Sequence, residues 1–530
     1  MRLETLLRAR AQRVPDKTCI RVGARRLTYR QFVTDCHALA SGMHHWGVKP
    51  GQRVLIYLPN SIEFAQALYA AFMLGATVVP VNTRLTLQEL SYFLEDSVPA
   101  VAVVPSGNVE AIALLRARFP QVRLLLAGNS EAPGLEGAKT VAELAQSTDE
   151  SLPEVPLTCD DCMILYTSGT TGRPKGAVIT HANCVVQHGF LNAMEWGISD
   201  SDTFLVTTPL AHRTGLARLL NAFNLGATLV VMERFDAEEA VSVIEREAVT
   251  ALGMVPTVAR MLLPVLKAAP ARCASLRHVI VTGEAFPVEL KRQMIDLLPA
   301  VQLHSFFAMT EVGSITSLTH DEQFSHPASV GRPTVGVEVK LVDERDNVVP
   351  VETVGEILVR SGEPGRFTTM RGYYNRPDET AAAITDGWVR TGDLAKFDVD
   401  GYLYIVDRKK DMVLSGGFNV YTKEVELALI EHPAVADAAV IGVPDEIYGE
   451  AVAAFVELRA GTAVTEATLI EHTKERIAGY KKPRHVFFID TLPRSSLGKV
   501  LKAQLRELAR ERLDEATSNQ ACAVLRHGVL

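Results

Sequence analysis

Short apolar runs, each of the length of a buried strand, recur along the chain and are separated by segments of helical length. Strands that are apolar on both faces are typical of parallel sheets covered by helices. The alternation therefore predicts an α/β fold with largely parallel sheets. The runs are "VLIYLPN" (54–60), "AVAVVP" (100–105), "VRLLLAG" (122–128), "MILYTSG" (163–169), "TFLVTTP" (203–209), "ATLVVM" (227–232) and "RHVIVTG" (277–283).

Two of the intervening helices have defined starts in the sequence. Thr28 and Gln31 have the spacing of a capping box, and Gly47 provides a carboxyl-terminal stop for the helix that follows them. Thr86 and Glu89 repeat the same spacing. Helices are therefore expected to begin directly after Thr28 and Thr86.

The pattern of predicted secondary structure changes twice after residue 327. Residues 328–406 contain short β-rich pieces, and a smaller α+β unit follows the charged segment "DRKKD" (407–411). The sequence predicts a domain at 1–409, made of two α/β subdomains and a β-rich subdomain, and a small α+β domain at 410–530.

The charge and cysteine content exclude several classes of protein. A net charge of −8 offers no basic patch for nucleic acid, and no run of about 18 uncharged apolar residues indicates a membrane span. The amino terminus lacks the apolar region of a signal peptide. Cys159 and Cys162 form a lone CxxC without a second ligand pair, so neither zinc nor redox work is favoured. A reduced cytoplasmic protein is expected.

The loop within "YTSGTTGRPKGAV" (166–178) is rich in glycine and hydroxyl groups and follows a predicted strand. Successive backbone N–H groups in such a loop bind anions, and Lys175 adds a cation for a phosphate chain. The loop is not a Walker motif, because Pro174 stands where the second glycine is needed and Gly176 follows the lysine. Read alone, it is also compatible with a flexible surface turn.

Further segments resemble, in order, the landmarks of the adenylate-forming superfamily, which includes acyl- and aryl-CoA synthetases, adenylation domains of peptide synthetases and beetle luciferases. Together with "YTSGTTGRPKG" they cover nearly the whole chain. They are "PLAHRTG" (209–215), "FFAMTE" (306–311), "SVGRP" (329–333), "GEILVRS" (355–361), "RGYYNRPDET" (371–380), "GWVRTGDLAKFDVDGYLYIVDRKKD" (387–411), "SGGFNVYTKEVE" (415–426) and "LPRSSLGKVLK" (492–502).

The resemblance implies an acyl-CoA ligase that uses ATP, Mg²⁺ and coenzyme A. Such an enzyme converts a fatty or aromatic carboxylic acid to an acyl-adenylate and pyrophosphate, and then transfers the acyl group to CoA with release of AMP. The alternative within the superfamily is a stand-alone adenylation enzyme that loads a carrier protein. A luciferase-like oxygenase is less favoured. A nucleotide-binding sensor without catalysis would be expected to lack the catalytic charges, which are present. A homodimer is compatible with the resemblance.

The resemblance also implies roles for individual residues in the adenylation step. Glu311 is expected to bind Mg²⁺, with Thr310 beside the α-phosphate, and Phe307 to stack on adenine. Asp393 and Arg408 are expected to contact the ribose. The outer phosphates are expected to contact Thr167, Ser168, Gly169, Thr170, Thr171, Gly172 and Lys175. Without the resemblance, Glu311 is compatible with a solvated helix start. Asp393 and Arg408 are then compatible with a turn and a charged linker.

For the later steps, the resemblance implies that Lys499 stabilises the transition state. It also implies that the small domain is mobile and that Lys410 lies at its hinge. Gly416 and Gly417 are expected to allow close approach of the pantetheine arm. His212 is expected to separate the acyl pocket from the pantetheine channel, although a hydrogen-bonded core histidine is the alternative.

Two departures from the superfamily pattern stand out. Phe307 and Ala308 replace the usual Tyr-Gly pair, and Thr422 replaces a common proline, which is expected to leave the start of that helix less rigid. The acyl pocket is expected from segments 209–216, 254–263 and 281–287. Apart from Arg213 and Glu284, these segments favour an apolar or aromatic acid over an amino or dicarboxylic acid.

Overall fold

The computed structural model describes residues 1–128, 137–146, 152–156, 158–167, 173–283, 286–416, 418–445, 447–494 and 500–513. Within these residues helices and strands alternate, and each of the seven apolar runs contains a strand. The prediction of a mixed α/β chain is confirmed.

The helices of the described part begin and end as follows. They are α1 (Leu3–Arg13), α2 (Tyr29–His45), α3 (Ile62–Met73), α4 (Leu87–Ser97), α5 (Val109–Arg118), α6 (Val141–Leu144), α7 (His181–Val185), α8 (Asn192–Trp196), α9 (Arg213–Leu225), α10 (Ala237–Glu247), α11 (Pro256–Ala268), α12 (Val288–Leu297), α13 (Glu322–Ser325), α14 (Pro377–Ala383), α15 (Thr422–Ile430) and α16 (Glu466–Lys474), with a π-helix at Val186–Leu191 and 3₁₀ turns at Pro270–Cys273 and Gly479–Lys481.

The strands are β1 (Thr18–Val22), β2 (Arg25–Thr28), β3 (Arg53–Ile56), β4 (Thr77–Pro80), β5 (Val101–Pro105), β6 (Arg123–Ala127), β7 (Lys139–Thr140), β8 (Asp161–Thr167), β9 (Lys175–Thr180), β10 (Thr203–Val206), β11 (Thr228–Val231), β12 (Ala251–Met254), β13 (His278–Val281), β14 (Gln302–Met309), β15 (Gly313–Leu318), β16 (Arg332–Pro333), β17 (Glu338–Val342), β18 (Gly355–Arg360), β19 (Gly372–Tyr373), β20 (Ile384–Thr385), β21 (Trp388–Phe397), β22 (Leu403–Arg408), β23 (Val413–Ser415), β24 (Phe418–Val420), β25 (Val435–Asp445), β26 (Gly449–Leu458) and β27 (His485–Phe488).

Both predicted capping boxes are confirmed. The Thr28 hydroxyl accepts from the Gln31 backbone N–H at 3.3 Å, and the Gln31 side-chain oxygen accepts from the Thr28 N–H at 2.9 Å. Thr86 and Glu89 make the same reciprocal pair at the start of α4. Helix α2 ends at His45, and Gly47 follows with a φ of +94°, a conformation that favours glycine.

Two large sheets organise the first part of the chain. The first sheet has the order β16-β15-β14-β13-β12-β10-β11-β1-β2, and the pairs from β1 to β14 along this path are parallel. The second has the order β19-β9-β8-β4-β3-β5-β6-β7 and is parallel from β8 to β7. Antiparallel pairs include β8–β9, which contains Thr167 and Lys175, and β14–β15, which contains Phe307.

Three apolar layers hold these sheets. One core is shared by inner faces of both sheets and by α2, α3 and α9. A second core packs α10, α11 and α12 on the other face of the first sheet, and a third packs α4 and α5 on the other face of the second. Strands covered on both faces explain why the runs are continuously apolar rather than alternating.

The chain divides into two compact units. The large unit comprises Met1–Lys340, Leu358–Thr391 and Asp400–Leu403, and the small unit comprises Leu341–Ile357, Gly392–Val399 and Tyr404–Leu530. The small unit contains a sheet of order β24-β23-β26-β25, with β27 beside β26, and helices α15 and α16. A further sheet has the order β17-β18-β21-β20, with β22 beside β21.

Two global observations complete the description. Among the described residues, no helix is both long enough and apolar enough to cross a bilayer. The six cysteines of the described part are free thiols, and Cys162 of the CxxC segment is buried on β8 with its sulfur 3.8 Å from that of Cys184.

Candidate active site

Strands β8 and β9 form an antiparallel pair whose open end carries the loop predicted to bind phosphate. Thr167 ends β8 and lies opposite Lys175, which begins β9. The Tyr92 hydroxyl holds the returning chain by donating to the carbonyl oxygen of Pro174 at 2.6 Å. The structure thus brings Thr167 and Lys175 together. The predicted contacts Ser168, Gly169, Thr170, Thr171 and Gly172 lie outside the described residues.

Glu311 lies in the turn between β14 and β15 and is buried, with 7% of its surface exposed. Its Oε1 atom accepts hydrogen bonds from the hydroxyls of Thr167 and Tyr373, both at 3.1 Å. Among the described residues no hydrogen bond reaches its Oε2 atom. The alternative of a solvated helix start is wrong, because Glu311 belongs to a buried turn between two strands.

Tyr373 is the second donor to this carboxylate. Burial, followed by the nearby charge of Glu311, raises the pKa of the Tyr373 phenol. Both effects disfavour the phenolate, so the hydroxyl keeps its proton and remains a donor to Glu311 at neutral pH. Its backbone N–H donates to the Thr380 hydroxyl at 2.8 Å, which fixes the ring next to the turn.

Lys175 is held in an ion pair at the end of β9. Its ammonium group pairs with Glu379 and lies 5.3 Å from the centroid of the Tyr373 ring. Glu379 also lies 3.6 Å from Arg376, whose guanidinium binds Asp96 at 2.5 Å. The cation predicted to bind phosphate is therefore already neutralised by a carboxylate from α14.

Phe307 and Thr310 occupy the strand and turn that lead to Glu311. Phe307 is half-buried on β14 and pairs with Thr316, and a β-bulge separates it from Ala308. Thr310 directly precedes Glu311 in the turn. Phe307 therefore lies near the end of β14, and Thr310 and Glu311 follow directly in the turn after that strand.

His212 caps the amino terminus of α9. Its Nδ1 atom accepts from the Thr214 backbone N–H at 3.5 Å and lies 3.2 Å from the Thr214 hydroxyl, which itself donates to the Thr208 hydroxyl at 3.2 Å. His212 is only partly buried. It therefore has a local structural role as a helix cap, and both the gating interpretation and the hydrogen-bonded alternative remain predictions.

In the small unit, Asp393 and Arg408 lie together. Arg408 Nε donates to Asp393 Oδ1 at 2.9 Å, and Asp393 is 7% exposed. The two backbones are also joined, because the Lys409 N–H donates to the Gly392 carbonyl oxygen at 2.8 Å. The alternative of an unrelated turn and linker does not account for a buried carboxylate paired with an arginine 15 positions later.

Thr422, the departure from the usual proline, is tied to the same region. Its backbone N–H and hydroxyl both donate to the carboxylate of Asp407, the hydroxyl at 3.1 Å. Lys502 donates to the Thr422 hydroxyl at 2.8 Å. The expectation of a less rigid helix start needs correction, because threonine supplies hydrogen bonds that proline, without an N–H, does not have.

Lys410, predicted at the hinge, and Gly416, predicted beside the pantetheine arm, also lie in the small unit. Burial lowers the pKa of Lys410, and the neighbouring charge of Arg408 contributes in the same direction. Gly416 has a φ of +58° in the turn between β23 and β24, and an added Cβ would lie 3.0 Å from a ring carbon of Tyr448. A side chain at Gly416 is therefore disfavoured by both backbone and space. Lys499 and Gly417 lie outside the described residues.

The site residues thus form two described groups. The large unit joins Thr167, Lys175 and Glu311, and the small unit joins Asp393 and Arg408. Sequence reasoning missed Tyr373 and Glu379, although both lie in "RGYYNRPDET", which it singled out only as a landmark. Their contacts could have been sought there, because two tyrosines and two acids occur within this short segment.

Comparison with known proteins decides the family. The model of the AMP-binding enzyme family matches residues 7–374. The model of the AMP-binding enzyme C-terminal domain matches residues 424–499. The chain belongs to the AMP-binding enzyme family. The large and small domains that these matches describe correspond to the order expected from the sequence.

Similar proteins agree with this membership. A feruloyl-CoA synthase from an Amycolatopsis species is 35% identical over 94% of this chain and 97% of its own length. The long-chain-fatty-acid–CoA ligase FadD13 of Mycobacterium tuberculosis is 35% identical over 91% and 93%. The structure of o-succinylbenzoate CoA synthetase (MenE) from Bacillus subtilis in complex with its acyl-adenylate intermediate superimposes with a TM-score of 0.83, at 29% identity over 94% and 97%. This member of the AMP-binding enzyme family is an acid–thiol ligase of the AMP-forming acyl-CoA synthetase type.

Proposed function

We propose that the protein activates a fatty or aromatic carboxylic acid with ATP and transfers the acyl group to coenzyme A. The observation that carries the proposal is the Glu311 carboxylate, which is buried and bound by the Thr167 and Tyr373 hydroxyls beside Lys175. A carboxylate fixed in this way at the end of a glycine-rich hairpin suits a nucleotide whose phosphates need both a cation and a metal ion.

In the first step, a carboxylate oxygen of the acid attacks the α-phosphorus of ATP, and the bond to pyrophosphate breaks. Both reactants are anions, so the site has to neutralise charge and align the two groups. Lys175, released from Glu379, would bind the outer phosphates together with the hydroxyl of Thr167 and the residues of the loop 168–172. The leaving group is thereby held while bond cleavage occurs one phosphorus further in.

The residues present fit Mg²⁺ as the metal ion. Mg²⁺ prefers carboxylate and phosphate oxygens, and Glu311 offers a buried carboxylate of which one oxygen is held by two hydroxyls. Glu311 would hold the ion, which neutralises phosphate charge when bound, and Thr310 would contact the α-phosphate. Tyr373 and Thr167 orient the carboxylate for this task.

We assign separate residues to adenine and to the ribose. Phe307, half-buried on β14, would stack on adenine. Asp393 would accept hydrogen bonds from the ribose hydroxyls, as acidic residues do in other nucleotide sites, and Arg408, already bonded to Asp393, would be a further ribose contact.

The remaining roles concern the small domain and the second step. Lys499 would stabilise the adenylation transition state, and Lys410 would be the hinge between domains at 1–409 and 410–530. In the second step the CoA thiolate attacks the acyl carbon, and the bond to AMP breaks. Gly416 and Gly417 would lie against the pantetheine arm, and His212 would gate the acyl pocket.

The proposal also includes the protein's surroundings. Free thiols at all six described cysteines suit a reducing compartment, and we assign the enzyme to the cytoplasm.

We include a homodimer, which sedimentation equilibrium would test against a monomer of 57.8 kDa.

A pyrophosphate-release assay over a broad panel of carboxylic acids, with and without CoA, tests the proposal. We expect pyrophosphate with at least one acid and an acyl-CoA product when CoA is present. Glu311→Gln should abolish release without loss of folding by circular dichroism. No pyrophosphate from any acid would sink the proposal, whereas acyl-adenylate that CoA does not consume would favour the loading of a carrier protein.

Lys499→Ala separates the two steps. The variant should lose adenylation far more than it loses thioester formation from a supplied acyl-adenylate, because the proposed contact of Lys499 is with the adenylation transition state. Equal losses in the two assays would refute the role of Lys499 and leave the overall reaction untouched.

A further inference from the structure

Arg218 is a buried cation for which the described residues provide no counter-charge. It lies on α9, six positions after His212 and therefore about 9 Å further along the helix axis. It is 4% exposed, and among the described residues it makes neither a hydrogen bond nor an ion pair. Burial lowers the pKa of Arg218 to about 9, so the guanidinium remains charged at neutral pH.

Gly253 makes room for this side chain. A Cβ at Gly253 would lie 2.6 Å from Cδ of Arg218, closer than real contacts allow. Gly253 is in register with Ile280 on β13, which is in register with His304 on β14, so the three residues share one face of the first sheet. The stem of Arg218 therefore passes over the sheet at a position that carries no side chain.

Polar atoms without partners in the described structure follow one another from Arg218 through Trp196 to His304. It lies 5.0 Å from the ring centroid of Trp196, which in turn lies 6.4 Å from the His304 ring and 5.1 Å from the Phe306 ring. Trp196 Nε1, both ring nitrogens of His304 and Nη1 of Arg218 are buried without a hydrogen-bond partner in the described structure. Buried polar groups are normally satisfied, so such a concentration indicates a binding partner outside the chain or ordered water.

The unpartnered cluster is rich in donors. Trp196 Nε1 only donates, and the guanidinium of Arg218 only donates. Burial, followed by His278 and His320, lowers the pKa of His304 to about 3, so its ring is neutral and has one N–H. Burial alone accounts for the altered pKa of Arg218, with no acidic side chain of the described part contributing.

We propose that Arg218, together with Trp196 and His304, binds a second carboxylate on the substrate acid, remote from the one that is adenylated. The inference rests on the proposed function, because His212 caps α9 and β14 leads from His304 through Phe307 to the turn of Glu311. The enzyme therefore prefers acids with an acidic group at their far end. This preference reverses the expectation, drawn from segments 209–216, 254–263 and 281–287, that a dicarboxylic acid is disfavoured.

Matched pairs of acids test the preference. Adipic, suberic and sebacic acids and a carboxyphenylpropanoic acid are each compared with the analogue that carries a methyl group in place of the distal carboxylate. In the pyrophosphate-release assay with CoA, we expect at least one dicarboxylic acid to exceed its methyl analogue in kcat/KM by about 100-fold, since a buried charge without its partner is strongly penalised.

Arg218→Met is the decisive variant. It should lower kcat/KM for the preferred dicarboxylic acid by about 100-fold or more and raise it for the methyl analogue, while Arg218→Lys should keep part of the preference. Because Arg218 makes no hydrogen bond or ion pair among the described residues, the thermal unfolding temperature of the methionine variant without ligand should not fall. Equal use of both acids by the wild type, or equal losses for both in the variant, would overturn the proposal.

A binding assay separates this inference from the proposed function. The preferred dicarboxylic acid should raise the thermal unfolding temperature of the wild type but not of Arg218→Met, whether or not pyrophosphate is formed. Glu284, which lies outside the described residues, is tested as an internal partner. If Arg218→Met and Glu284→Gln both lower the unfolding temperature and neither changes acid preference, Arg218 has a structural counter-charge and the inference fails.

Discussion

Replacing Tyr373 by phenylalanine removes one hydroxyl from the surroundings of Glu311 and little else. The hydroxyl donates to Glu311 Oε1 at 3.1 Å, while the ring lies 5.3 Å from the Lys175 ammonium group. Phenylalanine keeps the ring contact and loses only the hydrogen bond. The Thr167 hydroxyl still donates to the same oxygen at 3.1 Å.

The size of the effect follows from this count of donors. A hydrogen bond to a charged group is worth about 1.5–3 kcal/mol, which corresponds to about 10- to 150-fold in rate. Since one of the two donors remains, we expect the lower end, about a 10-fold decrease in kcat/KM for pyrophosphate release. The loss should be larger at limiting Mg²⁺ than at saturating Mg²⁺, because the hydroxyl orients the proposed metal ligand.

Tyr374→Phe is the matched control. Tyr374 is the next residue, and its hydroxyl makes no hydrogen bond among the described residues. It should leave pyrophosphate release unchanged over the same Mg²⁺ titration. An unaltered Mg²⁺ dependence in Tyr373→Phe, with both variants unfolding at the wild-type temperature, would refute the assignment of Glu311 as the metal ligand oriented by Tyr373.

Three further predictions concern other parts of the protein. Asp393→Asn should lower kcat/KM for ATP by about 10- to 150-fold, measured at saturating acid, since a charged acceptor is lost; an unchanged value would remove Asp393 from the ribose site. Thr422→Pro should destabilise the protein by about 1–3 kcal/mol in thermal unfolding, because the hydrogen bonds to Asp407 and from Lys502 are lost; equal or higher stability would contradict this. The pKa of His304 is about 3 in the folded protein and about 6.5 in the unfolded chain, so the unfolded chain binds the proton more readily. The free energy of unfolding therefore falls as the pH drops below about 6.5, by about 2 kcal/mol at pH 5. His304→Phe should show a shallower loss in urea unfolding between pH 7 and pH 5, and an equal slope would argue against a buried neutral imidazole.

The parts of the fold that depend on neighbouring residues were predictable. The capping boxes at Thr28 and Thr86 act within one helical turn, and the strand in "MILYTSG" is continuously apolar because both its faces are covered. Local propensity and burial agree at these positions, so the sequence pattern alone indicates the element. The placement of Glu311 beside Thr167 needed the family resemblance, since the two residues are 144 positions apart.

The remainder depends on contacts that no local pattern records. Glu379 neutralises Lys175 only because β19 pairs with β9 and brings α14 close to the hairpin. In the sequence, Arg218 is indistinguishable from other arginines on a helix. Its burial depends on Gly253, on a different element, which leaves space for its side chain. Thr422 looked like a loss of rigidity because the partner carboxylate, Asp407, lies 15 positions earlier.

The ion pair of Lys175 with Glu379 would also make the proposed phosphate site selective among anions. A small monovalent anion that approaches Lys175 gains one attraction and has to displace a carboxylate that is already in place, so it wins little. A polyphosphate brings several linked charges, repels Glu379 and engages the loop as well as the lysine. If Lys175 binds phosphate as proposed, a site that rests near neutrality would select for charge density: it would disfavour chloride and single carboxylates and favour a triphosphate.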